Sequence, residues 1–213
     1  MHIAVFGGSF NPVHFGHLRI AEEVREGLGP DKVIFMPAAT PPHKPDEKQA
    51  LAKDRLAMIR LAIADNPGFE ASDMEMMRGG LSFTIDTVRE LKKDDKGLKI
   101  SLILGDDSFN GISTWCEYET LMEMAHFIVV PRPGYGAKKI GEALPVELAR
   151  KFWYDAAAGS YQNSFGTSVT YFDTTLMAVS SSGIREGIKN GGSVRYLLPE
   201  NVIEYIAENG LYR

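Results

Sequence analysis

The chain of 213 residues predicts an α/β fold with a mostly parallel central sheet and helices on both of its faces. Two observations carry that prediction. Short, continuously apolar runs, which suit strands buried on both faces, alternate with stretches whose apolar residues recur at helical spacing. Several of the apolar runs stop at glycine- or proline-rich turns, where a parallel sheet hands its chain to the next helix. The length suits one domain, residues 1–213, with a helical portion over about 180–213.

Taken in order, residues 2–6 form a first apolar strand that meets Gly7-Gly8. From Gly16, Leu18, Ala21, Val24 and Leu28 repeat as one helical face. Residues 32–37 give a second strand, and the proline-rich stretch 38–45 cannot be helical throughout. Residues 47–65 read as a helix with Leu51, Leu56, Ile59 and Ile63 on its apolar side, followed by a short strand at 69–72. Residues 84–93 read as a helix capped by Ser82 or Thr84. Residues 100–104 form a strongly apolar strand that ends at Gly105-Asp106-Asp107. Residues 127–130 form another, ended by Pro131-Arg132-Pro133-Gly134. A further strand is expected at 169–172, a helix over 182–189 behind a serine-rich cap, and a last helix from Pro199 in its first turn to Asn209-Gly210. The stretch 135–168 carries no clear pattern.

Apolar residues make up 44% and charged residues 24%, the balance of a globular chain with a real core. The formal net charge of −5 and the lack of a long basic run argue against a nucleic-acid binder that works by bulk electrostatics. One cysteine, Cys116, excludes a disulfide within a monomer and a cysteine-built zinc site. With neither a leader-like opening nor an apolar run of membrane length, the expectation is a cytoplasmic protein with no membrane partner. A homo-oligomer is left open.

In parallel sheets ligands bind beyond the carboxyl ends of the strands, so the loops there hold the candidate chemistry. The first is Gly7-Gly8-Ser9-Phe10-Asn11-Pro12-Val13-His14-Phe15-Gly16-His17. Glycines without Cβ let backbone amides approach an anion, and the amino end of the following helix favours negative charge. His14 and His17, three residues apart, can converge on one phosphate. The second is Val179-Ser180-Ser181-Ser182-Gly183-Ile184-Arg185, where hydroxyls, helix-start amides and a guanidinium are spaced for phosphate oxygens. Taken alone it reads as a helix cap; beside the first segment it reads as a second grip on phosphate.

The first segment is similar to the (S/T)-F-D-P-x-H-x-G-H signature of the nucleotidyltransferase superfamily, and the second to its I-S-S-T-x-I-R signature. Asn11 stands where Asp is more usual, and Ser182 where Thr is. The amide preserves a turn role and removes a charge; the serine keeps the hydroxyl. The resemblance implies a Rossmann-like three-layer fold. It extends nearly end to end to the bacterial nicotinate-nucleotide adenylyltransferase family through Pro41-Pro42-His43-Lys44, Ser82-Phe83-Thr84-Ile85-Asp86-Thr87, Gly105-Asp106-Asp107-Ser108 with Trp115, Arg132-Pro133-Gly134, and the closing Tyr205-Ile206 and Gly210-Leu211-Tyr212. Cys116 departs from the tyrosine common there, at a position whose backbone serves the pyridine carboxylate.

That family joins ATP and nicotinate mononucleotide, giving deamido-NAD and pyrophosphate in NAD biosynthesis. The resemblance implies His14, His17 and Arg185 as catalytic residues. Gly8, Ser9, Phe10, Ser181 and Ser182 would lie at the ATP phosphates, with Gly105, Asp107 and Arg132 at the nucleotide. His43, Lys44, Thr84, Trp115 and Cys116 would serve the nicotinate nucleotide. Mg²⁺ is implied as a cofactor held mainly through substrate phosphates, with no dedicated protein metal site. Helix cap, turn aspartate and core tryptophan are the structural alternatives for Thr84, Asp107 and Trp115. The alternative activity is another adenylyl- or cytidylyltransferase of the superfamily, such as the phosphopantetheine enzyme. A regulator that has lost catalysis and a relative of class I aminoacyl-tRNA synthetases are disfavoured by the intact histidines and Arg185, and by the acidic balance.

Overall fold

The computed structural model describes residues 1–40 and 49–213. Among them, in chain order, run strand β1 (His2–Gly8), helix α1 (Phe15–Leu28), β2 (Lys32–Pro37), α2 (Ala52–Ala62), β3 (Phe69–Ala71), α3 (Met74–Arg78) and α4 (Thr84–Leu91). There follow β4 (Lys99–Gly105), α5 (Asp106–Phe109), α6 (Tyr118–Met124), β5 (His126–Val130), α7 (Ile140–Ala143) and α8 (Val146–Ala149). The chain ends with β6 (Phe152–Asp155), β7 (Ser160–Asn163), β8 (Ser168–Tyr171), α9 (Ser181–Lys189) and α10 (Glu200–Glu208).

These elements fall into two compact units. One comprises Met1–Gly7 and Phe83–Leu176, the other Gly8–Ser82 and Met177–Arg213. In the first, β1 pairs parallel with β4, β4 with β5, and β5 with β8. An antiparallel β8-β7-β6 run completes the sheet. Ile3, Val5, Ile100, Leu102, Phe127, Val129 and Val169 are buried there. Strands covered on both faces have no solvent side to alternate toward, which is why they read as unbroken apolar runs. Register sets the working edge: Phe6 lies opposite Ile103, and Gly105 opposite Val130. The carboxyl ends of β1, β4 and β5 therefore share one edge of this unit.

In the second unit β2 pairs parallel with β3, and Val24, Val33, Phe35, Met58, Ile59 and Val202 are buried. Helix α10 is pinned to α2 by Tyr205 Oη donating to Asp54 Oδ1 (2.9 Å) and Asn201 Nδ2 donating to the Leu61 carbonyl (2.8 Å).

The expected α/β order holds, with three corrections and one stretch left without an expectation. Helix α2 covers 52–62 within the expected 47–65, because Leu51 is extended (φ −53°, ψ 146°) and the Ala50 amide goes to Asn11 Oδ1. Neither Ser82 nor Thr84 caps α4: Phe83 occupies the cap position without a side-chain bond, and Ser82 Oγ accepts from the Ala39 amide. Pro199 precedes the first turn of α10. The unreadable stretch 135–168 holds α7, α8 and the β6–β7 hairpin. Asn163 shapes its far end, with Oδ1 accepting from the Phe165 and Thr167 amides and Nδ2 donating to Thr167 Oγ1.

Candidate active site

The loop between β1 and α1 is held from below by its carbonyls. Ser9 O accepts from Arg55 Nη1 (2.7 Å), Asn11 O from Arg185 Nη1 (2.9 Å) and Pro12 O from Ser181 Oγ (2.8 Å). Asn11, 2% exposed, supports the loop further: its Oδ1 accepts from the Ala50 amide (3.1 Å) and from Tyr212 Oη (2.8 Å). Its Nδ2 has no partner among the described residues. The turn role expected of an amide at this position is thus filled by a neutral acceptor.

Phe10 sits at φ +45°, buried, with its ring 5.0 Å from His17 and 5.6 Å from Phe35. A non-glycine residue in that region is held by its surroundings. Gly8 leaves room for the Phe10 ring, which a Cβ there would crowd at 3.3 Å.

His14 is the cap residue of α1, in extended conformation, and its backbone N–H donates to His17 Nδ1 (3.3 Å). The two imidazoles stack at 3.7 Å with 23° between their planes. Gly16 permits that approach, since a Cβ would lie 3.0 Å from Val179 and 3.1 Å from His14 Nδ1. Accepting at Nδ1 leaves the proton of a neutral His17 on Nε2, so the outer nitrogen is a donor.

The second signature opens α9. Ser180 caps it by accepting from the Gly183 amide (3.1 Å), and Ser182 Oγ lies 3.2 Å from Ser180 Oγ. Ser181 gives its hydroxyl proton to Pro12, so of the two serines expected at phosphate it is Ser182 that stands exposed. Ser181 and Arg185 tie the second signature to the first within one unit.

The remaining candidates lie in the other unit. The register of β4 and β5 brings Asp107 to Arg132, whose Nη1 donates to Asp107 Oδ2 at 3.0 Å. A Cβ on Gly105 would fall 2.8 Å from Arg132 Nε and also meet Asp107 Oδ1, so glycine leaves room for this pair in the arrangement it adopts. Thr84 is the first residue of α4; Trp115 follows a 3₁₀ turn and is half-buried, and Cys116 is exposed. Both ends of that segment are clamped, because Arg89 on α4 donates through both terminal nitrogens to Glu117. His43 and Lys44 lie outside the described residues.

Sequence reasoning missed Arg55, Arg89 and Glu117, and it used Tyr212 only as part of a motif. Burial draws the pKa of Arg55 below the ordinary arginine range, and burial draws that of Tyr212 upward. Among the described residues no group of three or more His, Cys, Asp or Glu side chains is placed to hold a metal ion. The two signature loops offer amides, imidazoles and a guanidinium, which suit anions.

The cytidylyltransferase-like family model matches residues 5–187. A relative from Citrifermentans bemidjiense, named a probable nicotinate-nucleotide adenylyltransferase, is 50% identical over 212 residues, covering 100% of this chain and 98% of that protein. A relative of the same name from Geobacter sulfurreducens is 43% identical over the same coverage. The solved structure of Plasmodium falciparum nicotinic acid mononucleotide adenylyltransferase complexed with NaAD superposes with a TM-score of 0.75. It is 16% identical, covers 99% of this chain and 97% of that one, and shows the same Rossmann-like α/β fold. On a family model that spans most of the sequence and on relatives that match it end to end, the chain belongs to the nicotinate-nucleotide adenylyltransferase family.

Proposed function

We propose that this chain transfers the adenylyl group of ATP to nicotinate mononucleotide, giving deamido-NAD and pyrophosphate in NAD biosynthesis. The observation that carries the reading is the union of the two phosphate signatures, Arg185 on Asn11 O and Ser181 on Pro12 O, in a chain half identical to a relative named for this activity.

The acceptor 5′-phosphate is ionised at neutral pH and attacks the α-phosphorus in line. A new P–O bond forms to the acceptor as the bond to the leaving pyrophosphate breaks. No protein nucleophile or general base is required, so the protein supplies position and charge stabilisation. The amides of Gly8, Ser9 and Phe10 cradle phosphate oxygens. His14 and His17 donate to the α-phosphate as charge accumulates there, His17 through Nε2. Arg185, with Ser182 beside it, holds the leaving pyrophosphate. Bound through substrate phosphates, Mg²⁺ would neutralise charge on their oxygens. Among the described residues the loop offers donors and no carboxylate cluster, which supports a reading in which the substrate phosphates would carry the metal.

Asp107, held by Arg132, accepts from the adenosine ribose. The amino end of α4 at Thr84 receives the nicotinate carboxylate, and Trp115 stacks on the pyridine. The exposed lone thiol of Cys116 suits a reducing compartment and so supports a cytoplasmic location.

A pyrophosphate-release assay with ATP and Mg²⁺ tests the reading. Nicotinate mononucleotide should be the better acceptor, because an amide in place of the carboxylate loses the charge and presents donors to donors. Equal use of nicotinate and nicotinamide mononucleotides would remove the substrate assignment, and release without either acceptor would remove the transfer.

A further inference from the structure

Arg55 is the largest fully buried side chain among the described residues, at 1% exposure. All three of its nitrogens are spent on backbone. Nη1 donates to Ser9 O (2.7 Å), Nη2 to Ala38 O (2.6 Å) and Ala39 O (3.3 Å), and Nε to Ala50 O (3.2 Å). None of these partners is a carboxylate; the adjacent Asp54 receives Tyr205 instead. Burying a guanidinium on neutral acceptors is costly compared with an apolar side chain of similar size. Its retention beneath the phosphate loop therefore needs a gain that packing does not supply.

The gain lies in the direction of one peptide. In a trans peptide the carbonyl and the following N–H point opposite ways. The Ser9–Phe10 bond is trans, the one cis bond among the described residues being Asn11–Pro12. Drawing Ser9 O toward Arg55 therefore turns the Phe10 N–H away from α2. Phe10 is also the loop residue at positive φ, where a peptide plane would relax if its anchor were released. We propose that Arg55 is a positioning residue for adenylyl transfer: it fixes the Ser9–Phe10 peptide so that the Phe10 amide is presented to the nucleotide phosphates. The proposal rests on the functional reading above. Arg55 itself touches no substrate.

Steady-state kinetics of the wild type, Arg55→Lys, Arg55→Met and Arg55→Ala, each corrected for its folded fraction, test it. Lysine keeps the charge but cannot bridge four carbonyls, and methionine keeps the length and apolar stem. Turnover should fall by about tenfold or more in Arg55→Lys and further in Arg55→Met, while KM for nicotinate mononucleotide moves by less than about twofold. Guanidinium ion at sub-denaturing concentration should restore part of the turnover of Arg55→Ala, and urea at the same concentration should not. Wild-type turnover per folded molecule in Arg55→Met, with no guanidinium effect on Arg55→Ala, overturns the proposal and leaves Arg55 a packing residue. Should the wild type itself fail to use this substrate pair, the functional reading fails, and Arg55 is read by the rise in melting temperature on adding Mg²⁺-ATP. That rise should shrink in Arg55→Lys; equal rises overturn the proposal.

Discussion

At His17 a single backbone hydrogen bond decides what the side chain can offer a phosphate. The His14 amide occupies Nδ1, so a neutral His17 presents Nε2–H, and its ring is held between Phe10 and His14. Orientation is settled before substrate arrives, the condition under which a donor stabilises a transition state without reorganising. His17→Ala should lower kcat about a hundredfold, on the order of 3 kcal/mol in the transition state, and change substrate KM much less. Steady-state turnover measures it; a kcat near the wild-type value would refute the assignment. Asn11 shows the opposite economy. It is a signature residue whose side chain accepts from Ala50 and Tyr212 and shapes the loop as a neutral turn residue.

Among the elements, α9 and the C-terminal segment act on the same loop. Helix α9 starts on the Ser180 cap and sends Ser181 and Arg185 to Pro12 and Asn11. Beyond α10 the chain turns back through Tyr212, at φ +65°, so that its hydroxyl reaches Asn11. Tyr212→Phe keeps the ring and removes that bond, and Asn11 Oδ1 retains only Ala50. The loss should be about 1 kcal/mol, the usual net worth of a neutral hydrogen bond. It would be read as a lower urea midpoint at unchanged m. An unmoved midpoint would mean that the hydroxyl carries no weight in the fold. Both signatures, the histidine pair and the start of α9 were legible because each is local, residues spaced along one turn or loop. Arg55 was not, because an arginine on a helix reads as its solvated face. Only the three carbonyl-bearing segments folded around it make it a core residue. The start of α2 was not legible for the same reason, since Asn11 draws the Ala50 amide out of any helical ladder.

At the scale of the whole chain, the alternation of strand and helix was legible wherever strands are buried on both faces. It failed at β6 and β7, where Trp153 and Tyr154 are exposed and no buried run marks the hairpin. That antiparallel extension is added to the edge begun by β8, beside β5, and its neighbourhood holds a group that should contribute to the pH dependence of stability. His126 opens β5, half-buried, with Nδ1 2.9 Å from Ser168 Oγ on β8. Burial first, then the positive charges of Lys99, His2 and Lys92, press its pKa from the ordinary 6.5 down to about 4. Between those values the unfolded chain binds a proton that the folded chain refuses, so stability falls as pH drops from about 6.5 toward 4. Above 6.5 both states hold a neutral ring, and below 4 both are protonated, so the contribution is complete at the high end of the window and lost at the low end. His126→Gln keeps a partner for Ser168 and cannot titrate. The wild-type unfolding free energy minus that of the variant should be flat above pH 6.5 and decline through the window. Denaturant titrations at half-unit steps of pH measure that difference, and carboxylates common to both proteins cancel from it. Parallel curves for the two proteins from pH 7 to pH 4 would show that His126 titrates as freely in the folded chain as in the unfolded one.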